Sequence, residues 1–191
     1  MLKSAIAMAA IFITVAVSGC TLPWETAPED YHMHADFKVI LEGKAMDLNK
    51  AEYMSDEYKE LSHDAHMHDF NPNVIHFHSR DATLGEFFKS IGMGLTGDCF
   101  SDGKADYCSG ANGKLAMYVN GAPATEYGDY RPRDLDKILI YYGEGTPTKE
   151  MLDSITSESC IYSKKCPMPQ GFNLPAENCT AGKPCSIYDT A

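Results

Sequence analysis

All seven histidines of the 191-residue chain fall between residues 32 and 78. Six of them form three His-x-His pairs, His32/His34, His66/His68 and His76/His78, and His63 stands apart. Imidazole is the commonest metal ligand at neutral pH. On an extended strand, residues i and i+2 project from the same face, so each pair is a ready two-nitrogen clamp. A solvated surface accounts for one such pair; three within 47 residues, with no histidine elsewhere, point to a metal site. The expected ligands are His32, His34, His66, His68, His76 and His78, and the expected ion is copper(II) or zinc, with copper favoured where both are freely available. Six imidazoles exceed the four positions of a tetrahedral site, so either a subset binds or two ions share the cluster. The ten methionines raise copper(I), a soft ion for thioethers. Met33 and Met67, however, alternate with the histidines and should point away from them. Asp36, Asp64 and Asp69 adjoin histidines and read as ligands, as acceptors that fix an imidazole tautomer, or as solvated neighbours.

The elements that must position these rings are strands. In Asp36 to Leu41 the apolar residues Phe37, Val39 and Leu41 alternate with charge, and Glu42-Gly43-Lys44 is a turn into a returning segment, Ala45 to Leu48. Met33 is in phase with Phe37 and Val39, whereas His32 and His34 are in phase with Asp36. Val74 to Ser79 is a further strand in which Ile75 and Phe77 oppose His76 and His78. If the apolar phase faces a helix, the imidazoles gather on the far side of the sheet. The helix is supplied by Thr83 to Ile91: Thr83 and Glu86 have capping-box spacing, and Leu84, Phe87, Phe88 and Ile91 recur at helical period. They are expected to pack on Phe37, Val39, Val119 and Leu139. Lys114 to Val119 ends at the turn pair Asn120-Gly121, and Lys137 to Tyr142 is a last apolar strand, with Tyr141 and Tyr142 read as one core and one surface residue. Asp134 and Asp136 read as turn residues before it. Residues 49–64 read as loop, and 146–157 as a short helix through Met151, Leu152 and Ile155.

The ends of the chain speak to compartment. Residues 1–19 have the layout of a secretory leader, with Lys3 followed by an apolar run too short for a comfortable membrane span. Val17-Ser18-Gly19-Cys20 resembles the lipobox of prokaryotic lipoproteins, which implies cleavage before Cys20 and lipid on that residue; an uncleaved anchor is the alternative. Residues 20–31 then form a linker, 32–143 the histidine-rich domain, and 144–191 a short helix with a Cys-rich tail. The six other cysteines, Cys99, Cys108, Cys160, Cys166, Cys179 and Cys185, are an even set suited to disulfides in an oxidising compartment. Their spacing favours three local loops, although six cysteines admit 15 pairings. None forms a Cys-x-x-Cys redox motif. The net charge of −11 disfavours nucleic-acid binding, which needs basic patches, and concentrates cations near the surface.

Element order and wording give an α+β expectation: Thr83 to Phe88, Met117 to Gly121 and Asp134 to Gly143 together resemble the β-grasp fold, a mixed sheet with one main packed helix. The chain also looks like a set of prokaryotic secreted proteins that begin His-Met-His-Ala-Asp-Phe, here His32 to Phe37, and end in a cysteine-bearing tail. Some of that set carry the label protein-disulfide isomerase, with which the absence of Cys-x-x-Cys sits badly. The expected role is a surface or periplasmic lipoprotein, anchored to the membrane by its N-terminal lipid, that binds a divalent transition metal for buffering, delivery or sensing. Two alternatives stand beside it: a zinc enzyme with three histidines and an open position for water, for which no general base stands out, and a metal-free adhesion or assembly module.

Overall fold

The longest strand, β1 (Met33–Leu41), lies inside the main sheet and carries His34 near its start, with His32 immediately before it. This is a computed structural model; it describes residues 31–55, 61–174, 178–180 and 183–186, the last two segments by backbone alone. The leader, Cys20, the linker up to residue 30 and the side chains of Cys179 and Cys185 lie outside the described residues.

After β1 come β2 (Lys44–Ala45), β3 (Ala65–His66), β4 (Val74–Phe77) and α1 (Leu84–Ser90). The short strands β5 (Gly94–Leu95), β6 (Cys99–Ser101) and β7 (Asp106–Cys108) follow, then β8 (Lys114–Val119), β9 (Ala122–Ala124) and β10 (Lys137–Gly143). The chain continues through α2 (Lys149–Asp153) and α3 (Ser159–Tyr162) to the hairpin β11 (Asn178–Thr180) and β12 (Lys183–Ser186). The molecule is thus mixed α+β and dominated by its sheet.

The main sheet runs β3-β4-β1-β10-β8-β9, with β2 turning back on β1. β1 and β10 are parallel, Phe37 opposite Ile138 and Leu41 opposite Tyr142. All other pairs in this sheet are antiparallel. Two hairpins turn on residue pairs with positive φ at both positions, Glu42-Gly43 (51° and 78°) and Asn120-Gly121 (52° and 80°). That is the turn whose twist matches a tight hairpin, and it tolerates glycine and asparagine best. The returning strand after Glu42-Gly43 is only two residues long, shorter than the sequence implied, because β4 takes the rest of that edge of β1.

Each face of the sheet is covered. On one side α1, started by a capping box in which the Glu86 backbone N–H donates to Thr83 Oγ1 (3.2 Å) and the Thr83 N–H to Glu86 Oε2 (2.9 Å), buries Leu84, Phe87 and Phe88. They join Phe37, Val39, Ile75, Phe77, Ile138 and Ile140, and the Phe37 and Phe87 rings meet edge to face at 5.4 Å. Val119 packs at the margin of this core. Leu139 does not belong to it: β10 alternates, so Leu139 turns to the opposite face with Ile40, Tyr141 and Ile155, beneath α2. Tyr141 and Tyr142 are both buried, one on each face, since neither side of this strand meets water. The small sheet β5-β6-β7 closes over Phe100 and is stapled by the Cys99–Cys108 disulfide. A second disulfide joins Cys160 and Cys166 around the end of α3. Both agree with the local pairing expected from spacing and with an oxidising compartment. Among the described residues, no helix is long and apolar enough to cross a membrane.

Candidate metal centre

The period-two pattern of β1, β3 and β4 decides where the histidines go. Met33, Ala35, Ala65, Met67, Ile75 and Phe77 enter the α1 core. The intervening residues therefore emerge together on the other face. Register then aligns them, with His34 opposite His76 and His76 opposite His66, a row of three imidazoles across three adjacent strands. His68 packs against His76 with ring centroids 3.9 Å apart. His32 adjoins His34 and His78 at 4.5 Å each. His63, apart in the sequence, comes within 6.4 Å of His78 and joins the same assembly. The cluster runs from solvent inward: His32 is exposed, His63 and His78 are half-buried, and His34, His66, His68 and His76 are buried.

Three of these histidines form a group that could hold a metal ion. One ring nitrogen from each of His32, His34 and His76 can be chosen so that all lie within 4.8 Å of one another. The Nε2 atoms of His32 and His34 are 3.1 Å apart. Two nitrogens on one tetrahedral ion, at about 2.0–2.1 Å from it, stand about 3.3 Å apart.

The side chains behind the rings fix which nitrogen faces the site. Ser163 Oγ donates its one proton to Asp134 Oδ1 at 2.5 Å, so it accepts from His34 Nδ1–H at 2.8 Å. In its neutral form His34 then presents the lone pair of Nε2 towards His32. His66 Nδ1 lies 2.8 Å from the Ser62 carbonyl oxygen and His68 Nδ1 2.8 Å from Asp69 Oδ2. Carbonyl and carboxylate oxygens only accept, so these two rings also carry a proton on Nδ1, which in a neutral ring leaves the lone pair on Nε2. Asp69 and Phe70 both sit at positive φ, 56° and 54°, in the turn that brings the Asp69 carboxylate back onto His68. Left-handed backbone at two successive non-glycine residues costs about 1–2 kcal/mol each, and here it accompanies the orientation of a cluster imidazole.

Asp134 does more than turn the chain. Its Oδ1 accepts from the His34 backbone N–H at 3.0 Å, and its Oδ2 takes Lys165 Nζ at 2.6 Å. Burial pushes this carboxyl up, but the hydrogen bonds from Lys165, Ser163 and His34 and the Lys165 charge outweigh it and hold the group below the ordinary carboxylate range. Tyr162 packs edge-on against His76 at 4.8 Å and tilted against His34 at 5.6 Å, closing the cluster from the α3 side. α3 is itself fastened to the sheet by Asp36, whose carboxylate accepts from Thr156 Oγ1 (2.5 Å), the Glu158 N–H (2.7 Å) and both the N–H and hydroxyl of Ser159. Of the three acidic neighbours noted in the sequence, Asp69 acts on a ring, Asp36 anchors α3, and the exposed Asp64 joins the β3 and β4 ends through its backbone carbonyl, which accepts from the His78 N–H. Beyond Tyr162 an open cavity of about 440 Å³ is lined by Asp69, Asn71, Asn73, Glu158 and Phe172.

Ser163, Tyr162 and the part played by Asp134 were not legible in the sequence, because they reach His34 and His76 from segments separated by 100 residues or more along the chain, except Tyr162 from His76 at a smaller remove. Met33 and Met67 are buried in the α1 core, so neither thioether faces the imidazoles. The donor set is nitrogen alone and suits a borderline divalent ion. No protein-family model matches this chain, and no curated protein or solved structure matches it either.

Proposed function

We propose that the protein is an exported module, lipid-anchored through Cys20, that binds one divalent transition ion, copper(II) or zinc, at His32, His34 and His76, in the service of metal buffering, delivery or sensing at the outer face of a membrane. One observation carries the reading: three imidazole nitrogens lie within 4.8 Å of one another, and the His34 ring among them is held in the ligating tautomer by Ser163 and Asp134. The acidic balance of the chain favours cations, and the two disulfides suit the compartment the leader implies. The order β4-β1-β10-β8-β9, with a parallel central pair and α1 on one face, supports a β-grasp relation.

Binding is favoured over catalysis by the surroundings of the rings. The nearby carboxylates Asp69 and Asp134 are engaged in orienting histidines. Calorimetric titration of the metal-free protein with copper(II) and with zinc tests the proposal. Submillimolar binding of at least one ion is expected, with loss of that binding in His34→Ala/His76→Ala. Affinity no tighter than about millimolar for both ions, or a double variant that binds as the parent does, defeats it. The anchor is tested separately: mass spectrometry of protein from its native membrane should find lipid on an N-terminal Cys20, and an intact Met1 would refute this.

A further inference from the structure

We propose that the cavity beyond Tyr162 is a binding site for an organic ammonium ion, a small molecule whose apolar body lies against Phe70 and Phe172 and whose primary ammonium group donates to Glu158. The site does not depend on the metal centre.

Two segments far apart in the chain build it. The turn between β3 and β4 supplies Asp69, Phe70, Asn71 and Asn73, and the start of α3 supplies Glu158 and Tyr162. Glu158 is fixed in place because its backbone N–H donates to Asp36 Oδ1 at 2.7 Å. With Phe172 these residues enclose about 440 Å³, a volume suited to a small organic ligand and far larger than a bare metal ion fills.

The hydrogen bonds of the wall set the sign of that ligand. Asn71 Nδ2 donates to Glu158 Oε2 at 3.0 Å and to Tyr162 Oη at 3.1 Å, which uses both of its protons. Asn73 Nδ2 donates to both Glu158 oxygens, at 3.2 and 3.3 Å. The Asn71 carbonyl oxygen accepts from the Asn73 backbone N–H at 2.9 Å. These amides therefore converge on one carboxylate and hold its orientation, but they are neutral. Among the described residues no cationic side chain pairs with Glu158, and no Lys, Arg or His lines the cavity. A carboxylate has about four lone-pair sites, so the three contacts from Asn71 and Asn73 leave room for a ligand N–H.

Other ligand classes fit less well. An anion would meet Glu158 and Asp69 with no compensating charge. A sugar needs donors as well as acceptors, and both Asn71 protons are committed. A metal ion finds its converging ligands at His32, His34 and His76, not here. The rings complete the case for an organic cation. Phe70 is 60 % exposed on the rim, and Tyr162 and Phe172 meet edge to face at 6.1 Å. Aromatic faces are electron-rich and attract ammonium groups while their area covers an apolar body. The net charge of −11 draws cations to this surface.

The test uses the full chain with a metal chelator present, titrated at neutral pH with phenethylammonium, with the neutral 2-phenylethanol and with the anion phenylacetate. Calorimetry gives affinity, and the side-chain amide NMR signals of Asn71 and Asn73 report the place. The amine should bind at least about tenfold tighter than the alcohol and shift both amides, while phenylacetate should not bind. Glu158→Gln should lose about tenfold or more, and Phe70→Leu, which keeps apolar area without a π face, about threefold. His34→Ala/His76→Ala, which removes the proposed metal ligands, should bind the amine within about twofold of the parent. Amine affinity no better than that of the alcohol, unmoved Asn71 and Asn73 signals, parent-like binding by Glu158→Gln, or loss of the amine in the histidine variant each overturns the site. Should Glu158→Gln fold poorly by circular dichroism, the comparison of amine with alcohol on the parent still decides, together with the surface variant Phe70→Leu.

Discussion

Replacing Ser163 by alanine removes one oxygen atom that touches no ion, yet it should weaken metal binding. The Oγ accepts from His34 Nδ1–H at 2.8 Å and passes its own proton to Asp134 at 2.5 Å. His34 is only 2 % exposed, so water replaces that acceptor poorly. Without it the ring loses a hydrogen bond worth about 1 kcal/mol between neutral groups and more when a carboxylate stands behind the acceptor. The ring also becomes free to carry its proton on Nε2, the nitrogen that would ligate. Together these should cost about 1.4–2 kcal/mol of binding, a tenfold to thirtyfold loss, in the range of orienting partners at metal sites. Competition for zinc against a chromophoric chelator at fixed neutral pH measures it, with thermal unfolding of the metal-free forms to separate binding from stability. Ser163→Thr, which keeps the hydroxyl, should bind within about threefold of the parent. In a His34→Ala background Ser163→Ala should have no further effect, because its influence passes through that ring. Affinity of Ser163→Ala within about twofold of the parent would refute the role assigned to the Ser163–Asp134 pair.

Phe87, fully buried against Phe37, Phe88 and the sheet, should lose about 3–5 kcal/mol of stability on truncation to alanine, measured by urea unfolding of the metal-free protein. Tyr130→Phe removes the hydroxyl that donates to Asp136 Oδ2 at 2.7 Å and should cost about 1.5 kcal/mol at neutral pH. Burial, then the hydrogen bond to Asp136, push the Tyr130 phenol above its ordinary range, so the folded state favours the protonated form. The stability it contributes is therefore full below the unfolded tyrosine value of about 10 and shrinks as pH rises beyond it, and the gap between parent and Tyr130→Phe should narrow there. Cys160→Ser/Cys166→Ser opens the loop that carries Tyr162 and Ser163. Loop-closure entropy puts the loss at about 2 kcal/mol, and zinc affinity should fall along with the unfolding temperature.

Strand phase was legible from sequence wherever one face carried a chemical mark. On β1 and β4 the histidines and Asp36 alternate with Phe37, Ile75 and Phe77, and that contrast assigned the two faces before any pairing was known. β10 offers no such contrast, because Ile138, Leu139, Ile140 and Tyr141 are apolar on both sides. Leu139 and the Tyr141–Tyr142 pair were misplaced for that reason. β3, β5 and β9 are two or three residues long and owe their existence to neighbours, which a local pattern cannot contain. α3 and its ties to Asp36 and His34 depend on a return of the chain from more than 100 residues away. The sequence thus held the identity of the imidazoles and their common face, and it lacked the side chains that orient them.

The second face of the sheet shows that packing alone does not call for those imidazoles. Towards β10 this face is finished with Ile40, Leu139, Tyr141 and Ile155, an apolar patch under α2. Towards β3 the same face buries His34, His66, His68 and His76 beneath Tyr162. Each buried imidazole loses its hydration and must be given partners, and Ser62, Asp69, Ser163 and Asp134 are arranged to do so. Replacing such a network by well-packed apolar side chains of similar volume is often neutral or stabilising. A chain able to fill one half of the face with isoleucine and leucine had that route for the other half. The histidine half therefore trades stability for chemistry, and a metal-free protein in which His66 and His76 are both replaced by leucine should unfold at no lower temperature than the parent while losing the metal-dependent rise in that temperature.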